Sequence, residues 1–304
     1  MVDPSRRRVA VVTGATGGIG RATAMALART GVGLALVGRS AVRVGEGVDA
    51  AAALGGSVVR GYVADLERPR DVARLADDLV RDAPGIDLLV NNAGAVFLRR
   101  EETPEGMERT WALNVVAPFL LTRRLEAALR TRRGSRVVFV ASEAHRYGRL
   151  DRDDPERHRG YGGWGAYSQS KLALLLLARS FADRWGPAGP AVASVHPGLV
   201  ASGFARGSRG LVGRLARFGV VTFGRSPRRA GEEVAALAVR SPWEPATGGY
   251  FIRGRSHAAS AAAQDAENAR WLWTRLEGEL GRLGLDLPDP PAAPRGAGTD
   301  REPP

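Results

Sequence analysis

Short runs rich in β-branched residues alternate with longer helical patterns along most of this chain, and that rhythm limits its fold more than any other feature. The predicted strands span residues 9–13, 33–37, 57–63, 88–90, 136–140, 191–195 and 250–252. Helical patterns lie between them at 19–30, 42–54, 69–82, 104–132, 166–185 and 229–239. Alternation of this kind is the pattern of βαβ units and a parallel sheet. Six or seven strands in this order predict an α/β fold, a doubly wound parallel sheet with right-handed crossovers.

Three stretches depart from the rhythm. Residues 143–165 form a charged, glycine-rich insertion between a strand and a helix, and 201–226 scatter Leu, Val and Phe among Gly and Arg. Residues 264–283 read as a helix carrying Trp271, Leu272, Leu276 and Leu280. No second globular unit is visible, so one domain is expected over 1–287, with a disordered tail at 288–304 rich in Pro, Ala and Gly.

Composition removes several classes of function. The 304 residues include no cysteine, which excludes disulfides, thiol nucleophiles and thiolate metal sites. The four histidines (His145, His158, His196, His257) lack metal-ligand spacing, so no metal site is expected. The polar, basic start runs straight into a strand pattern without a cleavage site, and no run approaches the roughly 20 apolar residues of a membrane span. A cytoplasmic protein is expected. The net charge of +12 invites a nucleic-acid reading, but the arginines are interleaved with acids, as in Asp151-Arg152-Asp153-Asp154. No nucleic-acid partner is expected, because such binding needs a contiguous basic surface.

The chemistry begins at the first strand. Thr13-Gly14-Ala15-Thr16-Gly17-Gly18-Ile19-Gly20 follows it and opens the first helical pattern. Glycines there allow a tight turn and close backbone approach to a pyrophosphate, while the helix N-terminus presents free N–H groups. The second strand ends in Val37-Gly38-Arg39-Ser40. An acid at this point selects NAD by holding the ribose 2′-hydroxyl, whereas an arginine suits a 2′-phosphate. Arg39, with Ser40 and Arg43, therefore favours NADP(H), with NAD(H) possible. Asp65-Leu66 either borders the adenine or caps the next helix.

Further along stands Tyr167-Ser168-Gln169-Ser170-Lys171, where Lys171 is the one lysine among 44 Lys and Arg residues. Residues four apart share a helix face, so the ammonium can approach the phenol and favour phenolate. A forked guanidinium would not replace it closely.

These residues together resemble the short-chain dehydrogenase/reductase family. Thr13-Gly14-x-x-x-Gly18-Ile19-Gly20, Asn91-Asn92-Ala93-Gly94, Asn114, Ser142, Tyr167-x-x-x-Lys171 and Pro197-Gly198 occur in that family's order, over roughly residues 8 to 202. Leu113-Asn114-Val115-Val116-Ala117-Pro118, the insertion after Ser142 and His196-Pro197-Gly198 are similar to its retinol-dehydrogenase-like branch.

The resemblance implies a Rossmann-type fold and a hydride transfer between a nicotinamide cofactor and a carbonyl or alcohol. Tyr167 is the implied acid/base, Ser142 the hydrogen-bond partner of the reacting oxygen, and Lys171 the ribose-holding cation. Asn114 is the implied helix-bend residue supporting a water-linked proton path to Lys171. Gly14, Thr16, Gly18, Ile19, Gly20, Asn92, Ala93, Gly94, Pro197, Gly198, Val200 and Ser202 are implied to line the cofactor. Ser202 stands where the family more often has Thr, and Glu143 where many relatives have a small residue. Residues 201–226 take the place of the substrate lid, and their apolar content points to a hydrophobic small molecule. Relatives commonly form homo-oligomers. The competing reading is a catalytically silent nucleotide-sensing or scaffold protein on the same fold.

Overall fold

The structure is a computed structural model and describes residues 8–198, 226–239 and 247–288. Val200, Ser202, the expected lid up to residue 225 and the tail beyond 288 lie outside the described residues.

Eight strands among the described residues form one sheet, ordered β3-β2-β1-β4-β5-β6-β7-β8. They are β1 (Val9–Thr13), β2 (Gly33–Gly38), β3 (Val59–Val63), β4 (Leu88–Asn91), β5 (Arg136–Val140), β6 (Ala191–His196), β7 (Gly249–Ile252) and β8 (Arg255–His257). The first seven pair in parallel. β8 returns antiparallel to β7 through Arg253 and Gly254, whose φ values of 52° and 73° are those of a tight hairpin turn. The sequence pattern lacks β8 because its three residues, Arg-Ser-His, are exposed and carry no apolar signal.

Chain order reverses between β1 and β4. From β1 the chain winds outward through β2 and β3, and then returns to start the other half at β4. Ligands of open α/β sheets bind at such a switch point, beyond the carboxyl ends of the strands.

Helices cover both faces. On one side lie α1 (Gly18–Ala28), α2 (Ala41–Ala53) and α8 (Pro227–Val239), around a core that includes Val12, Leu27, Leu36, Val90 and Val234. Gly231 lets α8 sit directly on α1, since a Cβ there would collide with Ala22 and the Thr23 amide. On the other side lie α3 (Pro69–Asp82), α5 (Ala117–Arg124), α7 (Gly163–Trp185) and α9 (Ala266–Arg282). Trp273 of α9 meets Phe119 and Phe181 edge-on, with ring centroids 5.0 and 4.9 Å apart, and so fastens α9 to α5 and α7.

The continuous helix expected over 104–132 is broken. Residues 104–108 form a turn in which the Thr103 hydroxyl accepts from the amides of Glu105 and Met107. A short α4 (Arg109–Trp111) then leads into a π-helical turn (Ala112–Val116), and α5 and α6 (Glu126–Arg130) follow. Pro118 accounts for the π turn. It has no N–H for the Asn114 carbonyl, and the Ala117 amide instead reaches five residues back to Ala112. Proline signals that break in the sequence, but apolar periodicity runs straight through it.

Candidate functional site

The turn after β1 is built as a cradle. Gly14 and Gly18 have φ of 65° and 54°, a region that disfavours side chains. A Cβ on Gly14 would lie 2.9 Å from the Asn92 amide nitrogen, and one on Gly20 would overlap both that nitrogen and the Gly14 carbonyl. Gly17, the residue before α1, offers no side-chain cap, and the first turn of α1 carries no acid. The N–H groups around Gly18, Ile19 and Gly20 are thus available to an anion.

Thr13 fastens this turn to the end of β4. Its hydroxyl donates to the Val90 carbonyl and accepts from the amides of Asn92 and Ala93 at 2.9 and 3.0 Å. The Asn92 side chain returns a bond to the Thr13 carbonyl at 2.8 Å. The two strands flanking the switch point are therefore locked together at their carboxyl ends.

At the end of β2, Thr16 lies over Gly38, where a Cβ would overlap its methyl group. Arg39 follows with its side chain 68% exposed and one guanidinium nitrogen 2.9 Å from Glu67. Glu67 is buried and is also held by Arg109 at 2.6 Å. The sequence reading missed Glu67; no local pattern distinguishes it from other surface acids. Ser40 accepts from the Arg43 amide at 3.4 Å and caps α2, which leaves its hydroxyl hydrogen to donate. Asp65 accepts from the Glu67 amide at 3.1 Å, while Arg68, not Asp65, precedes α3. Leu66 is buried beside it.

The π turn places Asn114, fully buried, against the loop that follows β4. Its side chain bonds both the amide and the carbonyl of Ala95, at 3.0 and 2.9 Å, and donates to Ser170 of α7 at 3.0 Å. Gly94 separates Asn114 from Lys171: a Cβ there would lie 3.2 Å from the Asn114 oxygen and 3.4 Å from the lysine nitrogen.

Ser142, Tyr167 and Lys171 converge beyond β5. The Ser142 hydroxyl accepts from the Ala144 amide at 3.2 Å, capping a short 3₁₀ turn (Glu143–Tyr147), and hydrogen-bonds the Tyr167 phenol. Lys171, 3% exposed, holds its ammonium 5.5 Å from the Tyr167 ring centre and donates to the Val140 carbonyl at 2.9 Å. Burial lowers the lysine pKa to about 8. Burial pushes the Tyr167 phenol well above its usual value, and the Ser142 bond partly offsets it. The expectation that Lys171 depresses the phenol pKa is thus outweighed here by desolvation. Pro197 and Gly198 follow β6, with Gly198 at φ 88°.

The cradle fits a dinucleotide phosphate, and the buried ammonium, with one acceptor among the described residues, has hydrogens left for ribose hydroxyls. No cluster of His, Asp or Glu among the described residues is arranged to hold a metal ion, and no described helix is long and apolar enough to cross a membrane.

Comparison with known proteins agrees with this geometry. Residues 8–210 match the family model described as short chain dehydrogenase. A Streptomyces sp. (strain C5) protein with the provisional name daunorubicin C-13 ketoreductase is 36% identical over 278 residues, covering 90% of this chain and 93% of its own. Human retinol dehydrogenase 13 is 32% identical over 295 residues, covering 92% and 86%. Among solved structures, a blue fluorescent protein from a metagenomic library in complex with NADPH is similar at a TM-score of 0.64 and 28% identity, covering 81% of this chain and 95% of its own.

Proposed function

The chain belongs to the short-chain dehydrogenase/reductase family, in its retinol-dehydrogenase-like branch, and from that premise we propose that it interconverts an apolar ketone or aldehyde and its alcohol with NADP(H). Family membership makes it an NAD(P)-dependent oxidoreductase acting on CH–OH groups. The observation that carries the reading is the convergence of Ser142, Tyr167 and Lys171 at the carboxyl end of the sheet, beside the glycine cradle.

A bound nicotinamide supplies or accepts the hydride. In the reducing direction Tyr167 donates its phenolic proton to the carbonyl oxygen as that oxygen gains charge. Ser142 hydrogen-bonds the same oxygen and steadies the charge. Lys171 would hold ribose hydroxyls of the bound cofactor, and it keeps a positive charge 5.5 Å from the phenol ring centre. Asn114 ties the loop at Ala95 to α7, holding the lysine side of the site in place. A silent scaffold would have no use for a buried, desolvated ammonium beside a buried phenol. Assay of a carbonyl and alcohol panel with both nicotinamides tests the proposal, and no cofactor turnover with any member would reject it.

NADP preference rests on Arg39, which stands open at the end of β2 where the family separates the two cofactors. NADPH in the similar metagenomic structure is consistent with it. Arg39→Asp is expected to lower the NADP/NAD ratio of kcat/KM by about 10- to 100-fold, the worth of a hydrogen bond to a charged group. An unchanged ratio places the 2′-phosphate elsewhere.

The apolar substrate is supported by three exposed side chains on segments that bracket Tyr167: Leu98 (60%), Tyr147 (78%) and Trp164 (60%). Trp164 begins α7 and its ring lies 5.7 Å from that of Tyr167. Leu98 abuts the same turn, because Gly163 packs directly on the Phe97–Leu98 backbone. Two of the similar proteins carry daunorubicin and retinol in their names. Trp164→Ala is expected to raise KM for a ring-bearing carbonyl by up to about tenfold while leaving kcat for a small aldehyde unchanged. Equal effects on both substrates would remove Trp164 from the binding surface.

A further inference from the structure

His145 is fully buried three residues after Ser142, and both of its ring nitrogens are engaged. Nδ1 lies 2.8 Å from the Ser142 carbonyl, and Nε2 lies 3.3 Å from the Ser260 amide nitrogen. A carbonyl only accepts, so the proton sits on Nδ1. A backbone amide only donates, so Nε2 is bare. Among common side chains, imidazole alone presents a donor and an acceptor on opposite edges of one rigid ring. The ring plane is set by Tyr250 of β7, edge-on at 5.0 Å and 71°. The same Tyr250 donates through its hydroxyl to Glu143 at 2.6 Å, and the Glu143 amide donates to His196 Nδ1 at 3.4 Å. Residues 143 and 145, which follow the serine, are thus each gripped by the C-terminal part of the chain.

We propose that His145 is a positioning residue for Ser142: its imidazole, held from behind by the Ser260 amide, donates to the Ser142 carbonyl and so fixes the direction of the serine hydroxyl. The link from backbone to hydroxyl is short. Ser142 Oγ accepts from the Ala144 amide, within the turn whose first carbonyl His145 holds, and this leaves the hydroxyl hydrogen to reach Tyr167 or a substrate oxygen. A small rotation of the turn would turn that hydrogen away. The imidazole has no free nitrogen for proton transfer, so its effect passes through Ser142. Burial lowers its pKa, in keeping with a ring that stays singly protonated. The inference rests on the reading of Ser142 as partner of the reacting oxygen.

Two variants and one spectrum test it. In His145→Asn the side-chain amide keeps a donor for Ser142 but has no acceptor within reach of Ser260, while His145→Ala loses both. Both variants are expected to melt below the wild type by similar amounts and to bind NADPH unchanged in a fluorescence titration. Only His145→Ala is expected to lose kcat, by about 10- to 100-fold, as for a small misplacement of a catalytic group. His145→Asn recovers most of it. In 15N-histidine spectra of the wild type, the resonance that disappears in His145→Asn is expected to show the Nδ1–H form at pH 7.5. Equal kcat in the two variants, wild-type kcat in His145→Ala, or an Nε2–H form overturns the proposal. Failure of the wild type to turn over any carbonyl defeats the functional reading instead, and the spectrum still decides the bridge.

Discussion

Tyr167→Phe is expected to cut turnover by about 10²- to 10⁴-fold, the usual range for removing a general acid. The substitution deletes one oxygen and leaves the ring where it packs, 5.7 Å from Trp164 and under the Lys171 ammonium. Stability and NADPH binding are therefore expected to hold. Burial keeps the phenol protonated through neutral pH, which suits proton donation in the reducing direction. Steady-state kinetics alongside a fluorescence titration with NADPH check both halves of the expectation. Turnover near the wild-type level with Phe at 167 would assign the proton to another group.

Lys171→Met is expected to separate function from stability: turnover is lost while the unliganded protein becomes more stable at pH 7. A buried ammonium is a standing cost, and its pKa of about 8 in the folded chain, against 10.5 for the free side chain, measures it. Below pH 8 both folded and unfolded chains carry the proton, and the full penalty of roughly 3 kcal/mol applies. Between pH 8 and 10.5 the unfolded chain holds a proton that the folded chain has released, so wild-type stability rises with pH relative to the variant. Loss of the bond to the Val140 carbonyl offsets part of the gain, by about 1 kcal/mol. Thermal unfolding of both proteins at pH 7 and pH 10 tests the sign. A variant that melts lower at both pH values by the same amount would show that the ammonium carries no burial penalty. Function retained at such a cost is the pattern expected of an active-site charge.

Much of this was legible in the sequence where one residue type has one physical use. The glycine turn, the seven parallel strands and the Tyr167–Lys171 spacing were readable because positive φ, short β-branched runs and the helical repeat each leave a direct trace. The lone lysine also stands in a particular place: it is buried, and its nitrogen lies close to Gly94 and donates to the Val140 carbonyl. Other features left no trace because they depend on partners far away in the chain. Glu67 becomes an anchor for Arg39 only because Arg109 reaches it, and His145 becomes a bridge only because Ser260 returns to it. The π turn was hidden behind unbroken apolar periodicity, although Pro118 announced it. Ser40 also caps α2 through its oxygen, a second role that the sequence reading does not assign to it.

The packing of α9 on α7 has a consequence for the order of events during synthesis. The helix that carries Tyr167 and Lys171 leaves the ribosome well before the helix whose Trp273 closes over Phe181. Until that later segment arrives, the apolar back of the catalytic helix faces water and the Ser260 amide is not yet there to meet His145. Nascent chains halted ahead of α9 therefore have a half-dressed, adhesive intermediate, a natural client for chaperones, in which the nucleotide half can already be formed.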